Sequence, residues 1–153
     1  MRGALPALAA LAVLAVLPLR GEESGAFEFK IEIRQGCAKG AVITRFRGGL
    51  GRVVIPADLG GAPVTAIGPE AFFEARGITS LEIPPSVTRI GEGAFFGCVN
   101  LAEAALPPAL RVIPERAFYG CIRLERVEIP PSVEVIGKDA FAYCRRLSLP
   151  WDA

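Results

Sequence analysis

Thr79 to Leu101 reads TSLEIPPSVTRIGEGAFFGCVNL, and the chain then repeats itself. Ala102 to Leu124 reads AEAALPPALRVIPERAFYGCIRL, and Glu125 to Leu147 reads ERVEIPPSVEVIGKDAFAYCRRL; each unit has 23 residues and aligns without a gap. An earlier copy, Arg52 to Ile78, reads RVVIPADLGGAPVTAIGPEAFFEARGI and matches once five residues are allowed between Ile55 and Val64. Repetition at a fixed period is the mark of a solenoid. One short unit cannot bury its own apolar stripe, but stacked units bury a continuous one, with strand over strand at ~4.8 Å.

The recurring positions are apolar or turn residues. One column is Val53, Leu81, Ala104 and Val127; the next is Ile55, Ile83, Leu106 and Ile129, each followed by proline. Then come Val64, Val87, Leu110 and Val133, and Ile67, Ile90, Ile113 and Ile136. An Ala-Phe pair recurs at Ala71-Phe72, Ala94-Phe95, Ala117-Phe118 and Ala140-Phe141. Cys98, Cys121 and Cys144 share a column headed by Ala75, and Ile78, Leu101, Leu124 and Leu147 close the units. Leu81 and Ile83 lie two apart, so both face one side of a short strand. Proline then ends pairing and turns the chain. Val87 and Ile90 lie three apart, which predicts a bend or short helical turn, and Gly91 or Gly137 provides for a tight reversal. The phenylalanines are expected to stack from coil to coil inside the core.

The segment before the repeats predicts a cap over residues 27–51. Phe27 to Ile33 alternates as a half-buried strand should. Ala41 to Phe46 is a second apolar stretch, and Gln35-Gly36 and Lys39-Gly40 supply turn residues between them. A β-hairpin there would cover the open end of the first repeat. Gly60-Gly61-Ala62-Pro63 extends that repeat into a longer turn. After Leu147 the next strand should be apolar at 150 and 152, where Pro150 and Asp152 stand. Residues 148–153 are therefore an incomplete tail, with an exposed strand edge that Trp151 folds back to cover or that pairs with another chain.

IPPSVTRIGEGAFFGC, IPPSVEVIGKDAFAYC and the entry segment VVIPADLGGAPVTAIGPEAF resemble the BspA-type leucine-rich repeat. About ten columns agree over three ungapped units, and the resemblance covers Val53 to Leu147. It implies an α/β-type solenoid of short parallel strands, loops and short helical turns, in four repeats spanning 52–78, 79–101, 102–124 and 125–147. It also implies a secreted or surface-associated microbial protein concerned with adhesion, and it brings no catalytic residues.

The amino terminus reads as a secretory signal peptide, residues 1–26. Arg2 precedes an apolar run from Leu5 to Leu19 that ends at Arg20. That run is shorter than the ~20 residues of a membrane-spanning helix. Ser24-Gly25-Ala26 suits cleavage after Ala26; cleavage near Gly21 and an uncleaved anchor are the alternatives. The mature chain would thus be secreted, periplasmic or on the cell surface.

Charge and composition narrow the function. With 17 basic and 16 acidic residues the net charge is +1, so no field of one sign draws in nucleic acid or an anionic membrane. Histidine is absent, which removes the commonest general base and metal ligand. No serine has a histidine partner for nucleophilic catalysis. Gly48-Gly49-Leu50-Gly51 lacks the Lys-Ser or Lys-Thr of a phosphate loop. Glu82 and Glu128 read as solvated rather than as an acid-base pair. The cysteines follow the repeat at 23 residues, not a zinc spacing, and predict a buried thiol ladder; a disulfide between adjacent coils is the alternative. The expectation is a protein that is no enzyme and uses no cofactor, metal or small-molecule substrate.

A solenoid instead displays its variable positions as parallel columns. Along the strand face one outward column is Arg52, Ser80, Glu103 and Arg126, and the next is Val54, Glu82, Ala105 and Glu128. The candidate ligand-binding residues are Arg52, Ser80, Glu82, Glu103, Arg126 and Glu128. Their expected partner is a protein or glycan of host matrix or cell surface. Phe73, Phe96, Tyr119 and Ala142, each following a core phenylalanine, form a competing surface. A second reading is a periplasmic or envelope structural protein that assembles through its uncapped end.

Overall fold

A computed structural model describes residues 27–33 and 39–149. The signal segment 1–26 with its cleavage sites, the Gln35-Gly36 turn, Cys37 and the Trp151 tail lie outside the described residues. Among the described residues eleven strands follow in order. They are β1 (Phe27–Ile33), β2 (Lys39–Phe46), β3 (Gly51–Val54), β4 (Asp58–Leu59), β5 (Ala62–Ile67) and β6 (Ile78–Glu82). Then come β7 (Arg89–Ile90), β8 (Glu103–Ala105), β9 (Val112–Ile113), β10 (Arg126–Glu128) and β11 (Val135–Ile136).

The opening strand of each coil stacks on the last as the columns require. The sheet runs β10-β8-β6-β3, all parallel, with Val53 opposite Leu81, Leu81 opposite Ala104 and Ala104 opposite Val127. A parallel register without slips across β6, β8 and β10 follows from the invariant period: a slip by one residue would turn every inward side chain to water.

The second side of the coil differs from expectation. Where a bend or helical turn was expected, Val87 N donates to Pro84 O at 3.1 Å and the chain then extends again as β7. Ile43 pairs with Ile67, Ile67 with Ile90, and Ile113 with Ile136. The stack is therefore a second parallel sheet, but it is split between β7 and β9. Pro114 is the cause. Gly68, Gly91 and Gly137 each donate their amide to the Ile one coil back (Ile43, Ile67 and Ile113), at 2.7, 2.8 and 2.7 Å. Pro114 occupies that column without an N–H, so Ile90 receives no such bond.

The third side contains no helix among the described residues, which corrects the short helical turns. Ala94, Phe96, Cys98 and Leu101 each donate to the carbonyl three residues back, at 3.2, 3.0, 3.3 and 3.1 Å. Two left-handed residues per coil break these turns apart. One column is Glu70, Gly93, Arg116 and Asp139, at φ of 54, 59, 54 and 56°. The other is Glu74, Gly97, Gly120 and Tyr143, at 51, 70, 72 and 62°. No α-helix survives a left-handed residue every fourth position. The amides this frees bond along the stack instead: Phe72, Phe95 and Phe118 each donate to the alanine of the next Ala-Phe pair at 2.8 Å. The reversal glycines are thus Gly93, Gly97 and Gly120, not Gly91 or Gly137.

The phenylalanines form the core ladder. Centroids are 5.1 Å apart for Phe72 and Phe95, 5.0 Å for Phe95 and Phe118, and 5.4 Å for Phe118 and Phe141. Phe72, Phe95 and Phe118 are fully buried. The cap extends the ladder, which the repeat columns do not reveal: Phe46 lies 4.9 Å from Phe72 and Phe27 5.3 Å from Phe46. β1 pairs antiparallel with β2, and β2 parallel with β5, so the hairpin closes the amino-terminal end. Lys39 and Gly40 belong to β2 rather than to the turn, opposite Ile33 and Glu32. Glu32 pairs with Lys30 of its own strand at 2.9 Å and pins the cap to the stack through Arg89 at 3.2 Å, and these cations hold its carboxyl below the ordinary value. The Gly60-Gly61 segment is a tight hairpin between β4 and β5 rather than a longer turn, with both glycines left-handed.

The thiols lie as a ladder beside the rings. Cys98, Cys121 and Cys144 are free and donate to Phe72, Phe95 and Phe118 carbonyls at 3.2, 3.2 and 3.1 Å. Its hydrogen bonds with Cys144 and Cys98, which favour the protonated thiol, together with burial, push the Cys121 thiol far up. The bond from Cys121 holds half-exposed Cys144 below the ordinary thiol value. In the unfolded chain both ionise as pH passes about 8.5. The folded chain ionises Cys144 alone and keeps the Cys121 proton. It then holds one proton more than the unfolded chain. Stability is expected to fall as the pH rises above about 8.5. Urea titrations at rising pH check this: the slope should vanish in Cys121→Ala, and an unchanged slope in that variant refutes the assignment.

Candidate functional site

The six sequence-derived candidates come together on the outer face of the β3-β6-β8-β10 sheet. Arg52 sits opposite Ser80, Ser80 opposite Glu103 and Glu103 opposite Arg126. Beside them Glu82 faces Ala105 and Ala105 faces Glu128. Alternation along each strand sends these side chains outward while Leu81, Ala104 and Val127 point in. Together they line one shallow concavity of about 390 Å³.

Charge on this face is paired by neighbouring rungs. Arg52 and Glu82 form an ion pair, and Arg126 reaches Glu103 at 3.8 Å. Glu128 has no ion-pair partner among the described residues. These side chains are solvated, from 49% exposure at Glu82 to 81% at Arg126, so the pairs contribute little stability. Glu82 is tied to Arg52 and stands two rungs from Glu128, an arrangement for recognition rather than for shared acid-base work. Alternating signs let a polar partner find both donors and acceptors within a few ångström.

The competing surface is a second aromatic row. Phe73 and Phe96 stack at 5.3 Å, Phe96 and Tyr119 at 4.8 Å. The row continues through Tyr143, 5.0 Å from Tyr119, and not through Ala142. Tyr143 occupies a left-handed position whose counterparts are glycine in two other coils, so column counting alone misses it. In the stacked pairs the rings cover one another's facing sides, while at the ends of the row Phe73 stays 49% and Tyr143 62% exposed. This row therefore serves as an external spine, and the strand face offers the more open chemistry.

Comparison with known proteins accords with this architecture. The family described as BspA type leucine rich repeat region (6 copies) matches residues 61–149, more than half of the chain. The chain belongs to the BspA-type leucine-rich repeat family. No relative was found among curated proteins. Among solved structures, a T. pallidum leucine-rich repeat protein is 37% identical with a TM-score of 0.71, over 78% of this chain and 55% of that one. A leucine-rich cell surface protein of Faecalibacterium prausnitzii is 31% identical with a TM-score of 0.67, over 78% of this chain and 34% of that one. A leucine-rich repeat protein of Bacteroides ovatus is 26% identical at 0.66, over 83% and 33%. This BspA-type chain thus spans between a third and about half of those proteins.

Proposed function

We propose that this BspA-type repeat protein is an exported binding module that holds a protein or glycan of host matrix or cell surface on its strand face, in adhesion. One observation carries the reading: the outward columns of four coils converge on a single concave, mixed-charge surface. Family membership supports an interaction role, and one structural relative is described as a cell surface protein. The apolar leader Leu5 to Leu19 supports export.

The test is solid-phase binding to matrix and cell-surface preparations against an albumin control. Glu82→Arg should weaken binding about tenfold, the effect of one lost anchor contact. Its exposure keeps the fold intact. Phe73→Ser, on the aromatic row, should leave binding unchanged. Equal binding to albumin, or loss with Phe73→Ser alone, contradicts the assignment.

A further inference from the structure

A glycine interrupts one charged column on the third side of the coils. The left-handed column there reads Glu70, Gly93, Arg116 and Asp139, so three coils project a charged side chain and one projects none. A Cβ at Gly93 would meet Glu70 Cγ at 3.6 Å and Phe96 Cβ at 3.8 Å, ordinary van der Waals distances, and nothing else within 4 Å. The glycine therefore leaves open space, unlike Gly91, whose Cβ position is filled by backbone. The space is a recess of about 340 Å³.

Its walls are of two kinds. Phe73 and Phe96, stacked at 5.3 Å, supply an apolar side. Glu70, Glu92 and Glu115 supply a polar one, with Arg116 as the one cation among the described lining residues. Arg116 reaches Glu115 at 3.7 Å, whereas Glu70 and Glu92 have no ion-pair partner among the described residues. The next coil shows what is missing. There a glutamate, Glu115, is followed by a residue whose guanidinium pairs with it; one coil back Glu92 is followed by Gly93, which brings no cation. Two uncompensated carboxylates beside an apolar wall fit a side chain with an alkyl stem and a cationic head. Such a chain packs its methylenes on apolar surface and keeps its head among polar groups. Its bonds to the carboxylates are charge-assisted.

We propose that this recess is a second binding site, one that takes a lysine or arginine side chain from a basic segment of a partner protein. The stem lies along Phe73 and Phe96 above Gly93, and the head sits between Glu70 and Glu92. The occupant supplies to this coil the charge that Arg116 supplies to the next. The recess shares no residue with the strand face, so each site stands or fails without the other. A partner that engages both is held more tightly than by either alone.

Nuclear magnetic resonance titration of the purified protein at low salt tests this, with acetylated trilysine and triarginine amides as probes and the triglutamate amide as control. The expected result is a saturable set of backbone amide shifts centred on Glu92, Gly93 and Phe96 with the basic peptides, and none with triglutamate. Gly93→Arg places a guanidinium in the recess and should abolish these shifts; Arg116 adopts the same backbone conformation at φ 54°. Glu92→Gln should weaken binding about threefold and E70Q/E92Q about tenfold, the usual effect of one and two exposed ion pairs. Both glutamates are exposed, so these variants keep the fold and carry the test even where Gly93→Arg lowers the urea midpoint. Glu82→Arg, on the strand face, should leave the shifts unchanged. Shifts centred on Glu82 and Glu128 instead, no saturable shifts, or binding indifferent to E70Q/E92Q overturns the proposal.

Discussion

Phe118→Ala is expected to lower stability by about 3–5 kcal/mol, much of what a domain of this size possesses. Phe118 is fully buried and stacks on Phe95 at 5.0 Å and on Phe141 at 5.4 Å. Truncation removes both ring contacts and leaves a void bounded by backbone. That void cannot collapse, because the coils on either side are held apart by their own bonds: Phe95 N to Ala117 O and Phe118 N to Ala140 O, both at 2.8 Å. Each repeat contacts only its neighbours, so a break in the middle also uncouples the last coil from the rest. Urea denaturation should show a midpoint far below that of the parent. A shift smaller than about 1 kcal/mol would mean that the ring lies outside a packed core.

Gly91→Ala should cost about 2–3 kcal/mol, by a different mechanism. A Cβ there would stand 2.3 Å from Pro69 N and 2.6 Å from Gly68 C. These are backbone atoms of the preceding coil, which cannot rotate aside. Relief requires the coils to part, and that breaks the Gly91 N to Ile67 O bond of 2.8 Å. Loss of that bond has a precedent in the molecule: where Pro114 fills the column without an N–H, pairing between β7 and β9 is absent. Gly49→Ala is the control, since no atom lies within 4 Å of its Cβ position. It should change stability by less than about 0.5 kcal/mol. Equal effects of the two substitutions would contradict close coil-to-coil contact at Gly91.

The first sheet and the ring ladder were legible because a constant period forces every inward residue onto its counterpart one coil away. Val53, Leu81, Ala104 and Val127 could be aligned by counting, and the outward Arg52 and Glu82 columns followed from the same alternation. The second sheet was not legible. Its strands β7, β9 and β11 have two residues each, too few to show a period. The left-handed residues were hidden for another reason: Glu70, Arg116 and Asp139 stand where glycine would have announced the turn. Phe27 and Phe46 belong to the ladder but to no repeat, so only the folded hairpin brings them in. Of the candidate site, the shared face could be read from spacing, whereas the pairing of Arg52 with Glu82 depends on side-chain rotamers that spacing does not encode.

Ring-to-ring nuclear Overhauser contacts among the phenylalanines test the stacked-coil architecture most directly. An unbroken series Phe27–Phe46–Phe72–Phe95–Phe118–Phe141 is expected, since no step exceeds 5.4 Å between centroids. Contacts missing between Phe95 and Phe118, with those rings exposed to solvent, would contradict the solenoid and the face it displays.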